Sequence, residues 1–142
     1  MNRFFISLVA IGVAVLIMAV TAPRSARPMD LGQWQDDPAL ATWYRTLMMP
    51  DSPAVSCCGE ADAYWCDRMR TSIDFEGKAH NFCAITDDRE DAPRRRPHRS
   101  IGEEFEIPDH KLKWDAGNPT GHQILFLSRS GTVYCFVLGT GG

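Results

Sequence analysis

Five cysteines, Cys57, Cys58, Cys66, Cys83 and Cys135, lie in a chain of 142 residues. At that density in a small exported domain they read as a disulfide framework, and such a framework needs an oxidising compartment. The odd count leaves at least one thiol outside the intramolecular bridges or bonded to another chain. Cys57 and Cys58 are poorly placed to bond to each other. Neighbouring Cα atoms across a trans peptide sit about 3.8 Å apart, whereas a disulfide favours about 4.4–6.8 Å. Each is therefore expected to reach a different partner, with Cys83 and Cys135 as targets in later strands, and the connectivity stays open. A Cys58–Cys135 bridge, for example, would close a loop of roughly 80 residues, worth about 4–5 kcal/mol by chain entropy.

The N-terminus supplies a route to that compartment. Met1-Asn2-Arg3 is a short positive lead, and Phe4–Ala22 is almost wholly apolar. As a helix this run would reach roughly 28 Å, between a secretory core and a full membrane span. Cleavage sites are poor. Val20-Thr21-Ala22 is followed by Pro23, and Arg24-Ser25-Ala26 places an arginine where a small residue is wanted. An uncleaved signal-anchor is favoured, with a cleaved signal peptide as the alternative. The organisation that follows is a signal or anchor helix over 1–22, a linker over 23–36 and one extracytoplasmic domain over 37–142. The net charge of −3 lacks the basic excess that phosphate backbones require, so nucleic acid is not an expected partner. No glycine-rich nucleotide loop is written in the chain, and no cofactor is expected.

Within the domain, Asp37 is a good N-cap and Pro38 suits a first helical position. Leu40, Trp43, Tyr44, Leu47 and Met48 share one helical face, and Pro50 stops the run. Asp51–Glu60 is rich in turn formers, and Ala61–Trp65 reads as a short turn or helix. Ser72–Phe75 and Asn81–Ile85 are strand-like, with Glu76-Gly77-Lys78 as the turn between them. Asp87–Ser100 is a charged loop. Glu104–Ile107 alternates like a half-buried strand ended by Pro108-Asp109. Asn118-Pro119-Thr120-Gly121 is a strong turn signal. Gln123–Leu127 and Thr132–Leu138 are apolar on both faces, which predicts central strands. The fold class is α+β, mainly β: one amphipathic helix, then a small curled antiparallel sheet or partly open barrel of about five strands, stapled by disulfides.

Candidate chemistry is sparse. Cys57, Cys58 and Cys66, with His80, His110 or His122, could form a soft-metal or thiol-redox site for Cu(I) or Zn²⁺, although neither C-x-x-C nor H-x₃₋₅-H spacing is present. Cys66, His122 and Asp109 can be written as a hydrolase triad, but no nucleophile signature surrounds them. Arg94, Arg95, Arg96 and Arg99 are a candidate contact for an anion such as a phosphate or lipid headgroup, beside a solvated-loop reading in which the adjacent acidic block neutralises them.

At Trp43-Tyr44-Arg45-Thr46-Leu47, Pro50, Ser56-Cys57-Cys58, Ile107-Pro108-Asp109, Asn118-Pro119-Thr120-Gly121 and Cys135-Phe136-Val137 the chain resembles a group of small, mostly uncharacterised exported bacterial proteins. It departs from their pattern at Cys66, which comes late, at Phe126, where relatives often carry a cysteine, and at Leu138, where they close with proline. The resemblance implies export and fold, placing the domain on the periplasmic side of the bacterial inner membrane if anchored, or in the periplasm if cleaved. It implies no activity. The expectation is a non-enzymatic domain that meets the membrane through its N-terminal helix and binds or scaffolds another envelope component.

Overall fold

The computed structural model describes residues 37–91, 96–114 and 116–139; the segments expected to be a signal or anchor helix and a linker lie outside these. Among the described residues no helix is long and apolar enough to cross a membrane. Among the described residues the architecture is mainly β, with one α-helix, nine strands in three small sheets and two disulfides. None of the sheets closes into a barrel.

Helix α1 spans Pro38–Thr46 and starts as its sequence predicts: the Asp37 carboxylate accepts from the Ala39 amide at 2.7 Å, with Pro38 in the first turn. It ends earlier than the apolar stripe suggests. Leu47 leaves the helix, and Met48 lies in β1 (Met48–Met49) and is 38 % exposed. The cause is tertiary. β2 (Ser52–Ser56) folds back on β1, and the Cys57 amide and Ser56 hydroxyl both donate to the Leu47 carbonyl. Part of the stretch expected to be all turn is thus the second arm of a hairpin, with Pro50 and Asp51 between the arms.

β3 (Ala61–Trp65), β8 (Ile124–Ser128), β9 (Val133–Val137) and β7 (Leu112–Lys113) form a four-stranded sheet in the order β3-β8-β9-β7. The expectation of a turn or helix at Ala61–Trp65 is corrected here. The segment pairs residue for residue with β8, from Ala61↔Ser128 to Trp65↔Ile124. β8 and β9 are central, as their two-sided apolarity predicts. β7 runs parallel to β9, so the fold is not wholly antiparallel. β4 (Arg68–Ile73), β5 (Ala79–Ala84) and β6 (Glu104–Ile107) form the three-stranded antiparallel sheet. Only two residues separate β3 from β4, and a short 3-10 turn at Asp109–Lys111 precedes β7, so the chain crosses between the two larger sheets twice.

Alternation along β8 explains the layering. Ile124 and Phe126 face one cluster with Tyr44, Leu47, Ala61, Ala63 and Cys135. Leu125 and Leu127 face a second with Tyr64, Ile85, Ile107 and Phe136. Each cluster holds one disulfide: Cys57–Cys135 on the helix side and Cys66–Cys83 on the other.

Candidate functional site

The charged loop is less solvated than its composition suggests. Asp87 and Arg96 are both buried, with side chains 1 % and 2 % exposed, and they pair at 2.7 Å. The reason lies at the outer edge of β3. The chain leaving β5 supplies one backbone bond there, Thr86 N–H to the Trp65 carbonyl. Asp87 then turns its carboxylate to accept from the Trp65 amide at 3.1 Å, and Arg96 donates to the Ala63 carbonyl at 2.8 Å. A carboxylate and a guanidinium thus stand where the next strand's peptides would be, and they close an edge that would otherwise be open for pairing. Arg89 adds a two-point contact to Asp87, 2.8 and 2.6 Å, and lies over the Trp65 ring. Burial alone would raise the Asp87 pKa; Arg89 and Arg96 outweigh it and hold the carboxyl far below the usual range.

Within the arginine run, this arrangement gives Arg96 internal partners. Arg94 and Arg95 lie outside the described residues. Arg96 donates to Asp91, Ala63, Asp87 and the Arg89 carbonyl, which leaves it little capacity for an external anion. Arg99 pairs with Glu103 at 3.2 Å and lies over the Phe105 ring. A cleft of about 320 Å³ opens beside them, lined by Asp87, Asp91, Arg96, His98, Arg99 and Tyr64 among others. Carboxylates share its walls with the guanidiniums. Tyr64 donates its hydroxyl to the Pro97 carbonyl at 2.7 Å; burial first, then the Asp62 carboxylate, push its phenol up to about 12, so it stays protonated.

The cysteines divide differently from the sequence expectation. Cys57, not Cys58, reaches Cys135, across 78 residues, and Cys66 bonds to Cys83 across 17. Cys58 keeps a buried thiol whose sulfur lies 3.3 Å from the Tyr44 carbonyl. The three sulfurs of the alternative metal set therefore serve three separate tasks. Among the described residues no group of three or more His, Cys, Asp or Glu side chains is arranged to hold a metal ion. The histidines engage single acidic neighbours or pairs of them. His80 sits between Glu106 at 2.6 Å and Asp74 at 3.0 Å, and these two carboxylates raise its pKa. His122 stacks on Trp65 with ring centroids 3.9 Å apart and bonds Asp67 at 2.8 Å.

The Asn118-Pro119-Thr120-Gly121 turn has a role beyond reversing the chain. Asn118 is buried, and its side-chain amide donates to the His122 carbonyl at 2.6 Å and the Leu138 carbonyl at 3.0 Å. Its oxygen accepts from the Thr120 amide and hydroxyl. One side chain thus joins the entry of β8 to the exit of β9. Asn118→Asp keeps the shape but turns two donors into an acceptor facing two carbonyls. Urea denaturation is expected to show a loss of about 2–3 kcal/mol or more at neutral pH. A midpoint equal to the parent's would show that Asn118 does not clamp the two strands.

One exposed apolar feature lies apart from these polar groups. A groove of about 360 Å³ lies between the β1–β2 hairpin and β7, lined by Met48, Met49, Pro50, Pro53, Leu112 and Trp114, among others. Trp114 is 76 % exposed. Lys111 holds the groove's two sides together through Asp51 at 2.6 Å. Sequence reading missed it because its walls come from the end of the helical stripe and from a two-residue strand more than sixty positions later. No protein-family model matches the chain, and no curated protein or solved structure matches it either.

Proposed function

We propose that this is a non-enzymatic, disulfide-stapled binding domain of the bacterial cell envelope, held at the membrane by its N-terminal apolar segment. Its groove takes an extended, apolar, proline-containing segment of another envelope protein. The groove carries this reading. Pro50 and Pro53 have no backbone N–H to leave unsatisfied under an apolar ligand, and Met48, Met49 and Leu112 supply adaptable apolar contact. Trp114 adds the exposed aromatic face on which extended proline-rich segments dock. The two disulfides are consistent with an oxidising, extracytoplasmic setting, and the resemblance to small exported proteins supports the same place.

The test is a fluorescence titration of the full chain with short apolar peptides containing proline, against glycine-serine peptides of equal length. Saturable binding that shifts the tryptophan emission is expected for the former. Trp114→Phe should remove the shift, and Met48→Lys should weaken binding with the far-UV spectrum unchanged. Equal response to both peptide classes, or binding indifferent to both substitutions, would exclude the groove. Turnover of a substrate by the purified protein would overturn the non-enzymatic reading.

A further inference from the structure

β3 and β4 form one nearly continuous run, covered on one side by β5 and the chain that follows it, and on the other by β8 along β3 alone. The edge of β3 is closed by Thr86, Asp87 and Arg96. β8 begins opposite Trp65, so the stretch beyond it, β4, has no strand on its other side among the described residues. Its register shows which groups face out. The Asp74 amide bonds the Lys78 carbonyl, which makes Asp74–Lys78 a hydrogen-bonded pair; by alternation Ser72, Arg70 and Arg68 bond β5. Met69, Thr71 and Ile73 therefore direct their backbone N–H and C=O groups away from the sheet. Met69 and Ile73 are 37 % and 71 % exposed, and Phe75 just beyond them is 98 % exposed. A six-residue edge of this kind is a template for pairing with another chain.

We propose that β4 is a self-association surface, through which two copies of this chain pair antiparallel in a register centred on Thr71. The strand's own sequence selects this occupant. In that register Thr71 meets the second Thr71, Met69 meets Ile73 of the other copy, and Arg70 meets Ser72. Arg68 meets Asp74, which shares its face with Glu106 around His80. The apolar pair covers the exposed side chains, the threonine pair suits a two-fold axis, and opposite charges close both ends. A register shifted by one residue in each copy, toward the N-terminus, sets Arg70 against Arg70 and breaks the match. The joined sheets would form one six-stranded sheet across the axis.

Sedimentation of the full chain in mild detergent, with cysteine pairing across the axis, tests this. A reversible monomer–dimer equilibrium is expected, and Ile73→Lys should raise its dissociation constant about tenfold or more, because a charge would replace an apolar contact on each side of the axis. Directly opposite Cα atoms lie about 4.5–5.5 Å apart, within disulfide reach, so Thr71→Cys should give a covalent dimer. Ile73→Cys alone should not, while Met69→Cys and Ile73→Cys chains mixed together should. Wild-type protein that stays monomeric, a dimer unaffected by Ile73→Lys, or equal cross-linking of Thr71→Cys and Ile73→Cys would each overturn the proposal. Since Thr71 and Ile73 are exposed, folding of the variants can be verified independently by the far-UV spectrum.

Discussion

Replacing both Cys57 and Cys135 by serine is expected to lower the free energy of unfolding by about 4–5 kcal/mol, since chain entropy grows with the closed loop. The bridge spans 78 residues and ties the turn after β2 to the last strand. The same exchange at Cys66 and Cys83 is expected to cost about 3 kcal/mol, because that loop is only 17 residues. A domain of this size holds on the order of 5–15 kcal/mol in all. The first loss can therefore leave it unfolded at growth temperature, and the second should leave a measurable two-state transition. Urea melts of the two double variants give the comparison. Equal losses would mean that native packing around the sulfurs, not the loop length, sets the contribution. The two bridges hold different layers of core, so removing both should be close to additive.

Asp87→Asn is the second large expected effect. The amide can still accept from the Trp65 backbone, but Arg96 remains buried with its principal counter-charge gone. Removing one partner of a buried ion pair costs about 3–5 kcal/mol. The pH dependence carries its own signature. The native carboxyl is held far below its unfolded value, so its contribution is complete above about pH 4 and is lost as pH falls toward the native value. The parent should therefore lose stability in acid through this group, and Asp87→Asn should flatten that arm of the profile. A charge-free replacement of both residues, Asp87→Leu with Arg96→Met, should not restore stability fully, because the Ala63 carbonyl and Trp65 amide would lose their partners. Full restoration by the double replacement would show that the pair does not act by closing the strand edge.

Much of the local structure was legible in the chain. Asp37 and Pro38 announce the helix start, and Glu76-Gly77-Lys78 announces the β4–β5 hairpin, where Asp74 accepts from the Glu76 and Lys78 amides. The two-sided apolarity of the last strands predicts their central place between two core clusters. Each of these signals is local: a cap, a turn or a short period is decided by residues within a few positions of one another.

The site was far less legible. Ala61-Asp62-Ala63-Tyr64-Trp65 has no clean strand period, and becomes a strand because β8 lies beside it. Met48 continues a helical stripe in sequence, yet the returning β2 hairpin claims it for a strand. The mixed-sign loop gives no sign of which arginine turns inward; that depends on an exposed backbone edge some thirty positions away.

The sequence by itself determined an N-terminal apolar segment, a mainly β chain with one capped helix, and enough cysteines to require bridges. Periodicity, end-capping and thiol count are properties of short stretches or of composition. Only the tertiary structure decided that Cys57 rather than Cys58 takes Cys135, that Asp87 and Arg96 close one strand edge, and that the opposite edge at β4 stays open among the described residues. Those outcomes depend on which backbone groups and sulfurs come within a few ångströms after the sheets have paired, and spacing along a chain carries no such distance.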